Sequence, residues 1–264
     1  MKPKALVLQA HGSNRDFDVM DALTLAGSDP TGIPLNELRI AARNASFRNF
    51  DLLIVPGGFS YADALGAGKL LALDLASYFA DEISAFVESG KPVIGICNGF
   101  QALVKSGILP GGNWGMVNGN SSVTLTFNQQ GHFECRWVNL KPVSQTCIWT
   151  KDLEDNLTCP IAHGEGNFQT NHQLPITNLV ANGQIALTYI HASGSSANGE
   201  YPINPNGSIL DIAGICNPQG NVLGLMPHPE NHIHMWQHPR HTRGEHGGSG
   251  LKLFENGVKY ASQM

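Results

Sequence analysis

Lys91-Pro-Val-Ile-Gly-Ile-Cys-Asn-Gly-Phe-Gln-Ala-Leu-Val-Lys105 is the stretch that decides the fold. A short apolar run, Val93 to Ile96, stops at Cys97. Phe100, Leu103 and Val104 beyond it are spaced as the buried side of a helix. Cys97 therefore sits on a strand-to-helix turn, with Gly95 two residues before it and Gly99 two after. A side chain at either glycine would collide as the backbone doubles back. This is the nucleophile-elbow pattern with cysteine in the place of serine. Oriented N–H groups at the helix start beneath the sulfur favour negative charge on it. A lone cysteine is more often a buried core residue. The paired glycines and the strand-to-helix setting favour the nucleophile.

Working upstream, Ala5 to Leu8 and Asp51 to Val55 read as two more buried strands. His11-Gly12-Ser13-Asn14 is a capped turn leading into a helix through Val19 to Leu25, and residues 28–36 read as loop. Asn36 to Arg48 is a candidate short helix. Lys69 to Glu88 reads as one amphipathic helix, with Ala72, Leu75, Ala76, Phe79, Ile83, Phe86 and Val87 on a single stripe and Gly90 as its C-cap. Strands alternating with helices at this spacing predict an α/β fold with a mostly parallel central sheet flanked by helices.

Downstream of Gly107 the texture changes. Ser122 to Phe127 and Phe133 to Leu140 alternate as antiparallel strands do, within a region, 110–150, rich in Gly, Asn, Thr and aromatics. Residues 170–210 are poor in charge, with one strand at Gln184 to Tyr189 and a tight turn at Asn204 to Ser208. Ile209 to Ile215 and Asn221 to Met226 are two further strands joined by Pro218-Gln219-Gly220, and Leu251 to Tyr260 is a closing helix. No linker or repeat interrupts the chain, so residues 1–264 are expected to form a single domain.

Composition narrows the function. The net charge of −5 and the lack of a basic run argue against nucleic-acid binding. Five cysteines without regular spacing make no disulfide framework, which suits a reducing cytoplasm. No stretch is long and apolar enough for a membrane span or signal segment. A charged fraction of only 14%, with 30 Gly and 15 Pro, fits a chain that buries surface against a partner.

A cysteine nucleophile needs a base, and the base needs an orienting group. Two segments offer His-x-Glu: His163-Gly164-Glu165 and His228-Pro229-Glu230. His228 follows the Val222 to Met226 run, so it falls at the carboxyl end of a strand, where open α/β sheets place their sites. Pro227 and Pro229 stiffen that segment, whereas His163 reads as part of a Gly-rich loop. Either histidine alone would more often be an ordinary hydrogen-bonded residue. Beside the elbow, His228 and Glu230 are favoured. Negative charge on a tetrahedral intermediate would be met by the Asn98 amide and by Gly57-Gly58 after the neighbouring strand. Gly214-Ile215-Cys216-Asn217 repeats the elbow tetrapeptide, but Pro218 stands where the elbow needs glycine, so Cys216 reads as structural. The histidines at 228, 232, 234, 238, 241 and 246 match no metal-ligand spacing, and no metal is expected.

With these residues assembled, the sequence resembles the triad-type, class I glutamine amidotransferases, on Gly95-Ile-Cys97-Asn-Gly99-Phe-Gln101 and His228-Pro-Glu230. More closely, it resembles the glutaminase subunits of the phosphoribosylformylglycinamidine synthases. That likeness rests on Pro56-Gly-Gly-Phe-Ser-Tyr61, Ala162-His-Gly-Glu-Gly166, Asn204-Pro-Asn-Gly-Ser208 and Gly224-Leu-Met-Pro-His-Pro-Glu230. Phe133-Glu-Cys-Arg136 and Leu253-Phe254 also fit, so the landmarks span almost the whole chain. Two departures are Ala62, where the family has glycine after Ser-Tyr, and a longer 170–203 stretch.

The resemblance implies a flavodoxin-like open sheet with added antiparallel strands. It implies a Cys97 thioester formed from glutamine, His228 moving protons with Glu230 orienting it, and Gln101 helping to hold the substrate. It implies ammonia passing through a channel to a larger synthetase subunit, with a small bridging subunit completing the complex. There ATP and Mg2+ serve the conversion of formylglycinamide ribonucleotide to its amidine in purine biosynthesis; no cofactor is implied for this chain. His163 and Glu165 would then face the channel or the interface. Two other readings are a glutaminase serving a different synthetase, and a catalytically silent binding module on the same elbow fold. The Gly-Gly-Phe-Ser-Tyr and His-Gly-Glu-Gly landmarks oppose the first, and an intact Cys97, His228 and Glu230 oppose the second.

Overall fold

β4, Val93–Ile96, runs through the centre of the protein with every residue buried, and α5, Asn98–Lys105, begins one residue after it. This computed structural model describes residues 1–41, 47–111, 122–171, 173–245 and 247–264. Parallel partners flank β4: β3, Leu52–Val55, on one side and β11, Val222–Leu225, on the other. Beyond β3 lie β1, Lys4–Gln9, and then β2, Asp29–Pro34, both parallel to it. Beyond β11 the sheet continues antiparallel through β10, Ile212–Cys216, β9, Ile185–Ile190, β6, Glu134–Pro142, and β7, Leu157–His163. Among the described residues this makes one nine-stranded sheet, ordered β2-β1-β3-β4-β11-β10-β9-β6-β7. β5, Val123–Thr126, pairs antiparallel with β8, Asn167–Thr170, as a separate ribbon. The expected parallel sheet with added antiparallel strands is the fold found.

The central parallel strands β3, β4 and β11 are buried along their whole length, as strands are in a parallel sheet covered by helices. α1, Asp16–Leu25, follows β1, and α2, Leu35–Ala41, follows β2. α7, Leu251–Ala261, closes the chain, with Gly257 pressed so closely on Trp149 that a Cβ there would lie 2.1 Å from the indole. α5 reaches the sheet by the same device. A Cβ on Gly224 of β11 would meet the Phe100 ring at 2.1 Å.

Three expectations need correction. Residues 28–36, read as loop, contain β2; Pro30, Gly32 and Pro34 hide a strand that survives because it lies at the sheet's edge, where proline is tolerated. The single helix over Lys69 to Glu88 is two, α3, Lys69–Tyr78, and α4, Ala80–Glu88, because Phe79 leaves helical geometry (φ −129°). Its ring is buried against Phe47, 5.8 Å between centroids, so a packing contact overrides an unbroken helical pattern. His163 is not in a loop but is the last residue of β7. The low-charge stretch after residue 170 also holds α6, Gln173–Ala181. Part of the helix expected over Asn36 to Arg48, residues 112–121 of the Gly-rich region, and His246 of the histidine cluster lie outside the described residues.

Candidate active site

The turn at Cys97 is sharp. Its backbone takes φ 49°, ψ −104°, a conformation that costs energy for any residue with a side chain and clusters at functional sites. Its N–H is held by the Leu225 carbonyl at 2.8 Å, and its own carbonyl accepts the Gln101 N–H at 3.0 Å, the first turn of α5. The flanking glycines are compulsory in atomic detail. A Cβ on Gly99 would lie 1.9 Å from the Val55 carbonyl oxygen, and one on Gly95 would lie 2.9 Å from that of Gly99. Both obstacles are backbone, which cannot step aside.

Because β3, β4 and β11 are neighbours, their carboxyl ends deliver Gly57-Gly58, Cys97 and His228 to one place. His228 and Glu230 are buried, and Nδ1 of the ring lies 2.6 Å from Glu230 Oε1. The His228 N–H is pinned to the Pro160 carbonyl of β7 at 2.8 Å. Burial works against a charged imidazole here. The Glu230 carboxylate, then the Cys97 sulfur and the hydrogen bonds to both, outweigh it and push the His228 pKa up to about 10. Gly57 seats the ring: a Cβ there would be 2.8 Å from His228 Cε1. Gly58 (φ 135°) lines the cavity above Cys97 and is tied to the β1 turn by a bridge to Ser13.

That cavity, about 160 Å³, is walled by Gly58, Phe59, Asp63, Cys97, Gln101 and the 162–165 segment, among others. A larger cavity of about 580 Å³ at the ends of β1 and β2 contains none of Cys97, His228 or Glu230. Cys97 Sγ lies 3.7 Å from the Ala162 carbonyl, so the end of β7 forms the opposite wall. Gln101 braces the two walls, its Nε2 donating to the Glu165 carbonyl at 2.7 Å and its Oε1 accepting from Asn98 at 3.1 Å. Glu165 itself pairs with Lys105 at 3.3 Å and accepts the Ala67 N–H at 3.2 Å.

His163 is buried within this wall. Asn128 fixes its tautomer: Oδ1 accepts the Gly166 N–H at 3.0 Å, while Nδ2 donates to the His132 and His163 carbonyls. The ring nitrogen 3.1 Å from that oxygen, Nδ1, must therefore carry the proton. Burial, then the charge of nearby His228, pushes the His163 pKa down to about 3 from 6.5. The unfolded ring takes up a proton below pH 6.5 that the folded ring refuses, so this contribution is complete above 6.5 and is lost as pH falls towards 3. At pH 5 the loss from this residue is about 2 kcal/mol. Urea unfolding at pH 7 and pH 5 is expected to show that loss in the native chain and to show it reduced by about that amount in His163→Asn.

The loop between Gly58 and α3 is not legible in the sequence beyond its Phe-Ser-Tyr. Tyr61, Ala62 and Asp63 take φ of 55°, 55° and 51°, three successive left-handed residues without a glycine. Side chains hold this costly turn. The Tyr61 hydroxyl donates to Asp74, and the buried Asn98 side chain accepts Ser60 N–H and Oγ–H and donates to Asp63 Oδ1 at 2.8 Å. Asn98 thus works through its side chain as well as its position after Cys97. The departure at Ala62 now has a physical meaning, since glycine suits its backbone better. Ala62→Gly is expected to raise unfolding free energy by about 0.5–1 kcal/mol, read from the urea midpoint; a lower midpoint would contradict a strained turn.

Cys216 is buried at the end of β10, and its thiol is pushed up by the neighbouring Cys147 sulfur and by burial, consistent with a structural residue. Among the described residues no group of three His, Cys, Asp or Glu side chains is arranged to hold a metal ion.

A cysteine elbow beside a buried His–Glu pair at the ends of neighbouring parallel strands is a site for acyl transfer, and the glutamine amidotransferase class is given by the model of the CobB/CobQ-like glutamine amidotransferase domain, which matches residues 2–261. The phosphoribosylformylglycinamidine synthase subunit PurQ of Treponema denticola is 54% identical over 98% of this chain and 99% of its own length. The PurQ subunit of Dehalococcoides mccartyi is 41% identical over 100% and 99%. The chain belongs to the PurQ family. Among solved structures, a chain of PurLQS from Thermotoga maritima superposes with a TM-score of 0.73 at 31% identity, covering 98% of this chain and 99% of that one. A putative GMP synthase component from Thermoplasma acidophilum, 14% identical with a TM-score of 0.58, covers 100% of this chain and 96% of its own and shares the fold.

Proposed function

We propose that this chain is the glutaminase subunit of a phosphoribosylformylglycinamidine synthase and that Cys97, His228 and Glu230 carry its chemistry. The observation that carries the reading is the meeting of Cys97, the buried His228–Glu230 pair and Gly57-Gly58 at three adjacent strand ends. Cys97 sulfur attacks the side-chain carbonyl carbon of glutamine. The negative charge on oxygen is met by the amides of Gly58 and Asn98. The C–N bond breaks as His228 gives the nitrogen a proton, and ammonia leaves a γ-glutamyl thioester. His228 then takes a proton from water, whose oxygen attacks the thioester; glutamate leaves and the thiol is restored. Glu230 orients the ring and stabilises its charged form.

Family membership at 54% identity supports the partners: a larger synthetase subunit and a small bridging subunit, with ATP and Mg2+ on the synthetase side. The cavity mouth suits such docking. Phe59, Phe127 and Phe133 around it are each more than 40% exposed. A covered mouth would keep ammonia from water on its way to the synthetase. The acyl-transfer chemistry asks for no cofactor in this chain. We place it in the cytoplasm, a reading supported by five cysteines that are all free. The test is ammonia release from glutamine by the chain alone and with purified synthetase and bridging subunits. Release that rises in the complex and tracks amidine formation supports the assignment. Ammonia release indifferent to the synthetase contradicts it.

A further inference from the structure

Beside the sulfur, the cavity holds an unbalanced charge. Asp63 and Glu165 both line it, and Lys105 is the cation beside them. Glu165 is satisfied: one oxygen pairs with Lys105 at 3.3 Å and the other accepts the Ala67 N–H at 3.2 Å. Asp63 is different. It accepts from the Asn98 side chain at 2.8 Å and from the Gly68 backbone, both neutral donors, and among the described residues it has no ion pair. Burial, more than its hydrogen bonds can offset, raises its pKa, with Glu165 adding to the rise. A half-buried carboxylate held in place by neutral donors is built to receive a cation from outside the chain.

We infer that Asp63 binds the α-ammonium group of L-glutamine and so selects an amino acid over other primary amides. This rests on the glutaminase reading. The geometry gives it a reason: Asp63 is carried by the left-handed Tyr61–Asp63 turn, and Asn98, next to the nucleophile, anchors that turn. The same amide that holds Asp63 also touches Gln101 Oε1, so the cation-binding and acyl-transfer ends of the cavity are fixed to one another. The costly backbone places the carboxylate.

The test compares L-glutamine with glutaramate, the same molecule without its amino group, using the chain in complex with its synthetase. The native chain is expected to prefer glutamine in kcat/KM by about 100-fold. Asp63→Asn is expected to lower kcat/KM for glutamine by about 50-fold, chiefly through KM, and to change that for glutaramate less than about threefold. Asp63→Glu, which keeps the charge, should recover part of the preference. Equal losses on both substrates in Asp63→Asn would mean a structural role and overturn the assignment. So would a native chain that handles glutaramate as well as glutamine, a result that needs no variant to fold and leaves the glutaminase reading standing. A native complex that releases no ammonia from glutamine would remove both.

Discussion

Cys97→Ala is expected to abolish ammonia release from glutamine, with kcat lowered by at least about 10⁴-fold, while glutamine still binds. The substitution is mild structurally. The strain at Cys97 lies in the backbone, alanine has a Cβ like cysteine, and the sulfur's contact to the Ala162 carbonyl is a long 3.7 Å; what is lost besides is its interaction with His228. The fold should therefore stay intact, and the synthetase should keep its activity with free ammonia. The paired control is Cys216→Ala, which repeats the chemical change at the duplicate tetrapeptide. It is expected to leave the rate within about threefold and to cost stability instead, because Cys216 is fully buried in the core. Equal losses in both variants would mean that the elbow is not the seat of the chemistry.

Glu230→Gln should be nearly as damaging, by about 10³- to 10⁴-fold in kcat with glutamine affinity little changed. Glu230 is fully buried and 2.6 Å from His228 Nδ1. An amide there can turn its NH2 toward the ring, which forces the wrong tautomer and removes the charge that supports the imidazolium. A pH signature separates this from simple loss of packing. The His228 pKa is raised to about 10 in the fold, so its stabilising contribution is complete below 6.5 and is lost as pH rises through about 10. The urea midpoint of the native chain should therefore fall between pH 7 and 10, and that fall should be smaller in Glu230→Gln. An identical slope in the variant would show that the pair is not coupled as the geometry indicates.

Much of this was legible in the chain because it is local. The elbow is written in four residues around Cys97; the steric demand on Gly95 comes from the elbow's own helix, while that on Gly99 comes from the Val55 carbonyl of the neighbouring β3. The order of the strands explains why Gly57-Gly58, Cys97 and His228 could be grouped without knowing a distance: each follows an apolar run that ends at the same edge of one sheet. What stayed hidden depends on partners far along the chain. β2 carries two prolines and a glycine, and only its place beside β1 makes it a strand. The break at Phe79 follows from a ring contact with Phe47, thirty-two positions earlier, and no pattern within the helix announces it. Asp63 lies two residues beyond a recognisable Phe-Ser-Tyr. Its meaning emerges from the left-handed turn and from Asn98, thirty-five positions later. His163 reads in the sequence as a mobile loop base and is instead a neutral ring at the end of β7, held by Asn128.

The most direct test is to mix the chain and its synthetase with glutamine, quench in acid within a turnover, and map the modified residue by peptide mass. A γ-glutamyl thioester is expected on the Cys97 peptide and absent from Cys97→Ala. A glutamyl adduct on any other cysteine, or steady ammonia release with no covalent adduct, would contradict it.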